Sequence, residues 1–160
     1  MLFADWRVGL AQRPFRCYKF RTMVVDASQR QAALESCNEA DGALFKIKED
    51  PRVTGVGRVL RRFSLDELPQ LLNVANGEMS LVGPRPLPMR DCELLEEWHW
   101  RRHVVLPGIT GLWQVSGRSD LRFEDMVELD TRYIETWNLL SDVTIAWRTA
   151  SAVFRSRGAY

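Results

Sequence analysis

Two prolines enclose a single arginine in Val82-Gly83-Pro84-Arg85-Pro86, and no other stretch limits the fold so strongly. Each proline ring fixes φ at roughly −65° and removes a backbone donor, so the segment can be neither helix interior nor central strand. It reads as a short strand from Ser80 running into a stiff loop, and that loop holds Arg85 at low entropic cost. Further breakers cut the chain into short pieces. Asp50-Pro51 ends one, because the residue before a proline is pushed towards extended backbone. Gly77 ends another, and Pro107-Gly108-Ile109-Thr110-Gly111 reads as a second loop.

Between these breaks the hydrophobic period assigns the elements. Residues 1 to 25 alternate apolar or aromatic residues with basic ones, as in Phe15-Arg16-Cys17-Tyr18-Lys19-Phe20-Arg21, which predicts a hairpin turning near Gln12-Arg13-Pro14. Asp26 to Glu39 read as a helix capped by Asp26 or Ser28, Asp41-Gly42 as a turn, and Leu44 to Ile47 as a short strand. Val56 to Phe63 read as a helix that aligns Arg58, Arg61 and Arg62 along one face. Ser64 opens a further helix through Val74, and Met89 to His103 read as a polar helix carrying Trp98 and Trp100. Leu112 to Gly117 read as a strand or turn, Phe123 to Trp137 as a helix, and Ser141 to Phe154 as an amphipathic helix. The last carries Val143, Ile145 and Trp147 among arginines and suits either a membrane interface or the core. The sum is an α+β chain: a mostly helical single domain over residues 1–160, with a small antiparallel β-hairpin and interfacial amphipathic helices.

Charge narrows the partners. Lys and Arg number 22 against 21 Asp and Glu, so the net charge of +1 supplies no global field for nucleic acid. Only three of those 22 are lysines, Lys19, Lys46 and Lys48. An excess of arginine suits phosphate or anionic lipid, whose oxygens match its rigid fork, although a coding bias produces the same excess. Cys17, Cys37 and Cys92 are odd in number and widely spaced, which suggests neither disulfides nor a zinc site and points to a reducing compartment. No apolar run reaches the roughly 20 residues a spanning helix needs.

Ser64-Leu65-Asp66-Glu67 fits a capping box, in which Ser64 and Glu67 would satisfy each other's backbone amides. The same string places adjacent carboxylates after an arginine-rich helix, where both are expected to stay ionised. An ionised Asp66 beside bound phosphate could attack phosphorus if cations neutralise the repulsion, with Glu67 holding a divalent ion and arginines clamping the oxygens. Arg85 is then a fixed phosphate clamp, or else an exposed arginine on a rigid turn. Gly55-Val56-Gly57 and the Pro107–Gly111 stretch lack nucleotide-loop spacing and read as turns. His99 and His103 have a zinc-ligand offset, but Trp100 stands where a metalloprotease would carry glutamate, so both read as solvated or interfacial.

Taken together, Lys19-Phe20-Arg21-Thr22-Met23, Asp50-Pro51-Arg52-Val53-Thr54, Leu60 to Gln70, Met79 to Pro86 and Pro107 to Arg118 resemble the bacterial sugar transferase family, the monotopic phosphoglycosyl transferases of glycan assembly. The resemblance runs in order over nearly the whole chain. It implies that Asp66 displaces UMP from a UDP-sugar, and that a polyprenyl phosphate then takes the phosphosugar from the aspartyl intermediate. By the same resemblance Glu67 helps bind Mg2+, Arg85 holds phosphate, and Lys19 and Arg21 lie near the site. Arg61, Arg62, Arg118 and Asp130 complete the expected substrate-binding set. The strings around Phe45-Lys46-Ile47 and Leu112-Trp113-Gln114 look most like exopolysaccharide-type members, which suggests a hexose such as glucose or galactose.

Family members carry an apolar membrane-entering helix ahead of the segment matching Phe3–Gly9. This chain is therefore expected to be a fragment or a late start of a protein at the cytoplasmic face of the bacterial inner membrane. The membrane surface is an expected partner, with self-association as a further option and nucleic acid excluded. The competing readings are an inactive fragment that binds membrane or a partner protein, and a nucleotide-sugar hydrolase in which water intercepts the intermediate.

Overall fold

The computed structural model describes residues 1–39, 45, 47–117 and 121–154. Its first unit is the expected antiparallel hairpin, β1 (Leu2–Val8) paired with β2 (Pro14–Phe20), with Leu2 opposite Phe20 and Val8 opposite Pro14. The reversal is a 3-10 turn over Leu10–Gln12 in which Ala11 and Gln12 take positive φ. Period two sets what each face of β2 does. Phe15 and Cys17 are buried with Met79, against which the partly buried Val74 and Ile109 pack, and Lys19, the next residue on that face, is carried inwards with them.

The predicted helix after Asp26 is shorter and tighter than expected: α1 (Ala27–Gln31) continues as a 3-10 stretch over Ala32–Cys37. Asp26 makes no side-chain cap; its carboxylate accepts from Arg30 Nε at 2.8 Å. The expected turn at Asp41-Gly42 lies outside the described residues, as does half of the expected Leu44–Ile47 strand, of which Phe45 and Ile47 are described and lie in no strand.

Helix α2 (Gly55–Arg62) falls where the arginine face predicted it, but its start is a docking point rather than a turn. Thr54 Oγ1 accepts from Gly57 N at 3.0 Å and donates to Thr22 O at 3.2 Å. A Cβ on Gly57 would stand 2.0 Å from that same carbonyl, so only glycine lets the helix approach residue 22.

The expected capping box at Ser64 does not form. Ser64 sits in the left-handed region at φ 53 and makes no side-chain cap, and the chain turns there into a 3-10 stretch over Leu65–Glu67. Glu67 therefore does not reach back to the Ser64 amide; stronger cationic partners take its carboxylate. Helix α3 (Gln70–Ala75) follows. Its Asn73 is fully buried, accepts from Tyr18 N at 3.0 Å and donates to Arg16 O at 2.8 Å, which bolts α3 to β2. Asn73→Leu removes the partner of the Tyr18 amide and the Arg16 carbonyl of β2, both part-buried bonds, and we expect a loss of about 1–3 kcal/mol, read as a fall in the chemical-denaturation midpoint.

Beyond Gly77, β3 (Ser80–Val82) leads into the Pro-Arg-Pro loop. The segment expected as a second loop is in fact a strand, β4 (Gly108–Thr110), and it pairs parallel to β3 rather than adding to the antiparallel hairpin. Sequence period misses it because the contact is between backbones: a Cβ on Gly108 would lie 2.1 Å from Gly83 N, and one on Gly111 2.3 Å from Gly83 O.

The polar helix expected over Met89–His103 is broken into α4 (Met89–Cys92) and a 3-10 stretch over Glu97–His103. Extended Glu96 restarts it, with His99 Nδ1 accepting from the Glu96 amide at 2.8 Å. Leu112–Ser116 form α5, not a strand.

Two long helices complete the fold, α6 (Phe123–Glu135) and α7 (Leu139–Phe154). Phe123, Met126 and Val127 of α6 pack with Val8, Leu87 and Cys92, while Tyr133 joins Val82 and Ile145 of α7. The outward side of α7 is apolar as well: Leu139, Leu140, Val143 and Trp147 are 58–78% exposed. A simple core-packing helix would have turned those side chains inwards. No helix of the described residues is long and apolar enough to cross a membrane.

Candidate active site

Three pieces of chain meet around Asp66 and Glu67: the end of β2, the last turn of α2, and the Pro-Arg-Pro loop. Lys19 Nζ lies 3.3 Å from Glu67 Oε1. Arg85 forks onto the same carboxylate, Nη1 to Oε2 at 3.3 Å and Nη2 to Oε1. Burial alone would raise the Glu67 pKa, but Arg85 and Lys19 override it and draw the group down to about 2. Glu67 is thus a fixed anion at any physiological pH.

Asp66 behaves in the opposite way. Burial and then the charge of Glu67 push its carboxyl above the usual range, against the pull of Lys19, Arg85 and Arg61. The sequence reading expected both carboxylates to be ionised alike; the structure separates them, because adjacent buried anions oppose one another and the cations are spent on Glu67. Among the described residues no hydrogen bond engages the Asp66 side chain. One carboxylate is pinned and the other is open.

Arg61 is brought into the same field. Its Nε donates to Thr22 Oγ1 at 3.0 Å, which orients it from the α2 side, and it bears on both Asp66 and Glu67. Lys19, Arg85 and Arg61 against two carboxylates leave the cluster one positive charge in excess, a setting that attracts phosphate.

Not every expected residue joins the cluster. Arg62 is exposed and lies over the Phe63 ring at 5.6 Å. Arg21 stacks on Phe3 across the hairpin at 4.6 Å rather than meeting the carboxylates. Asp130 is 1% exposed and paired with Arg102 at 2.6 Å, so it stands behind the loop and not in the site. Arg118 lies outside the described residues.

His99 and His103 are buried rather than solvated. His99 is spent on the Glu96 amide and on Glu124 at 3.2 Å, and His103 has a buried Nδ1 without a partner among the described residues. Burial, with Arg102 nearby, pulls the His103 pKa down to about 4. A depressed histidine is neutral when folded, so the unfolded chain binds the extra proton and stability falls as pH drops from about 6.5 through 4. We expect on the order of 3 kcal/mol to be lost across that window, and His103→Phe to flatten this part of a pH series of denaturation midpoints.

Sequence reasoning passed over Thr22, Asn73 and Arg102, which orient Arg61, Lys19's strand and the Arg85 loop. Only a breach of local rules hinted at them: Asn73 is a polar residue at a helical core position, and Arg102 belongs to a stretch expected to be solvated.

The fold and this cluster define an α+β domain built around a carboxylate pair set among phosphate-matching cations. The model of the bacterial sugar transferase family matches residues 1–156, and the chain belongs to that family. It is 45% identical over 99% of its length to a galactosyl transferase, CpsE, of Streptococcus agalactiae, covering 35% of that protein. It is 44% identical over its whole length to the exopolysaccharide production protein ExoY of Sinorhizobium fredii, covering 73% of it. It is 43% identical over 99% of its length to the undecaprenyl-phosphate galactose phosphotransferase of Salmonella typhimurium, covering 34% of it. The chain thus spans about a third of some relatives and nearly three quarters of others.

Proposed function

We propose that this chain transfers a hexose-1-phosphate from a UDP-sugar to a polyprenyl phosphate through a covalent intermediate on Asp66, as an early step of exopolysaccharide or related glycan assembly. The observation that carries the reading is the division of labour between adjacent carboxylates, Glu67 locked by Arg85 and Lys19 and Asp66 left without a hydrogen bond. A purely structural ion pair has no use for the second, destabilised carboxylate. An attacking group does, because a desolvated and unengaged oxygen is the better nucleophile.

In the first half-reaction an Asp66 oxygen attacks the phosphorus that bears the sugar, the bond to the bridging oxygen breaks, and UMP leaves with the electron pair. In the second, an oxygen of the polyprenyl phosphate attacks the same phosphorus and the Asp66 carboxylate departs. Arg85, Lys19 and Arg61 neutralise phosphate oxygens in both steps. The relatives, an undecaprenyl-phosphate galactose and an undecaprenyl-phosphate glucose phosphotransferase among them, favour a hexose donor.

Magnesium fits as a guest of the donor. The described residues hold no group of three His, Cys, Asp or Glu side chains suited to a metal, but magnesium needs only one or two carboxylates when phosphates supply the rest. Glu67 would have to exchange part of its contact with Arg85 and Lys19 to hold it, and the ion would offset diphosphate charge. The apolar outward side of α7 and the exposed Val56, Val59, Phe63, Leu68 and Leu72 beside the acidic pair support seating on a membrane surface, where the lipid acceptor resides.

The test is product release from the chain with magnesium, a UDP-hexose, and polyprenyl phosphate in detergent or nanodiscs. We expect UMP together with a lipid-linked sugar diphosphate, and loss of both on chelation. UMP and free hexose-1-phosphate with no lipid product would assign the hydrolase instead; no UMP from folded chain would leave a binding module.

A further inference from the structure

Four consecutive carbonyls of the Pro-Arg-Pro loop are each held from a different direction. Pro84 O accepts from Gly108 N at 2.9 Å, and Leu87 O from Val8 N at 3.2 Å. Between them Arg85 O accepts from Arg102 Nη2 at 2.8 Å, and Pro86 O from Arg7 Nη1 at 3.1 Å. The prolines themselves offer no donors, so the hydrogen bonding that positions this loop comes from what donates to its carbonyls. Two of the four donors are guanidinium groups, and each has its own counter-ion: Asp130 for Arg102 at 2.6 Å, and Asp5 for Arg7 at 2.8 Å. The Arg102–Asp130 pair is 3% and 1% exposed, so neither member reaches solvent or substrate.

We infer that Arg102, held by Asp130, is a positioning residue that aims Arg85 at Glu67 and at the donor phosphates by gripping the Arg85 carbonyl. A buried ion pair is poor value for stability alone, since an apolar pair of like volume does as well or better. Its place beneath the arginine that forks onto Glu67 is accounted for by the grip. The chain of contacts is continuous: Asp130 to Arg102, Arg102 to the Arg85 backbone, Arg85 side chain to Glu67, and Glu67 beside Asp66. This rests on the proposed transfer reaction for its consequence, although the grip itself is a matter of geometry.

The test uses the full chain carrying Asp130→Asn, Arg102→Lys, or the charge-free double variant Arg102→Met/Asp130→Leu, which leaves no unpaired buried charge. We expect UMP release to fall by about tenfold or more, as misplacement of a clamp can cost up to 10²-fold, with thermal melting of the double variant near wild type. On an Arg85→Ala background the same changes add nothing further. A second readout does not depend on the reaction: the Arg85 Nε–H resonance, assigned by its loss in Arg85→Lys, should be narrow in wild type and broadened in the variants. If wild type releases no UMP, the transfer reading fails while this resonance still decides the positioning role. Unchanged UMP release with an unchanged resonance, losses that add to Arg85→Ala, or failure of all three variants to fold would each overturn the inference.

Discussion

An Asp66→Asn chain incubated with magnesium and a panel of UDP-hexoses should gain no mass, whereas wild type should gain one phosphohexose. Asparagine keeps the volume of the position but lacks the ionised oxygen that bonds to phosphorus, so both half-reactions stop together. Loss of the attacking group costs about 10⁴-fold or more in nucleophilic enzymes, and UMP release should drop to background. Stability should move the other way. Burial and Glu67 raise the Asp66 pKa, so the folded chain resists ionising it and its charge costs stability once pH exceeds the unfolded value. The neutral amide removes that cost, and the variant should melt at or above wild type at pH 7. Intact-mass spectrometry beside a thermal melt reads both. An adduct on Asp66→Asn would move the nucleophile elsewhere.

The second large effect belongs to Arg85. Arg85→Ala removes the forked partner of Glu67 and a cation proposed to face the donor phosphates, leaving Lys19 as the remaining hydrogen-bond donor to Glu67 among the described residues. We expect UMP release to fall about 10²- to 10³-fold, the range for deleting one preorganised donor aimed at developing charge, with a raised KM for the UDP-sugar. Arg85→Lys should recover only part, since an ammonium cannot fork. The acid limb should shift as well. Glu67 is depressed to about 2, so its stabilising charge is present above its unfolded pKa and lost as pH falls from about 4.5 through 2. Without Arg85 the folded pKa rises, so the loss is smaller and is complete nearer pH 4.5. Steady-state assays and acid-denaturation curves test this, and activity within threefold of wild type would take Arg85 out of the site.

Glu67 and Asp66 show where reading a sequence stops. The string Ser64-Leu65-Asp66-Glu67 is equally a capping box and a reactive pair, and local rules favour the box. What decided between them was Lys19, 48 residues away, and Arg85, 18 away, competing for the Glu67 carboxylate. Charge-assisted bonds to two cations outweigh one neutral amide, so the box is lost. Similarly, Asp130 and Arg21 belong to the expected site by type but not by place. Burial under the loop claimed one and the Phe3 ring claimed the other.

What the sequence determined by itself is whatever depends on neighbours along the chain. The period of two in β2 fixed the hairpin and the inward turn of Lys19; the prolines fixed the rigidity beneath Arg85; the 3.6-residue period fixed α2 and α6. The motif strings also carried the family, because they are long and ordered. Only the tertiary structure decided the parallel β3–β4 pair, which rests on glycine-to-glycine backbone approach that leaves no periodic trace, and the break in Met89–His103. It alone set which carboxylate is pinned and which is open. Hydrogen bonds and ion pairs between distant residues follow from how the elements stack, and a carboxylate's pKa follows from the charges and burial that stacking brings to it.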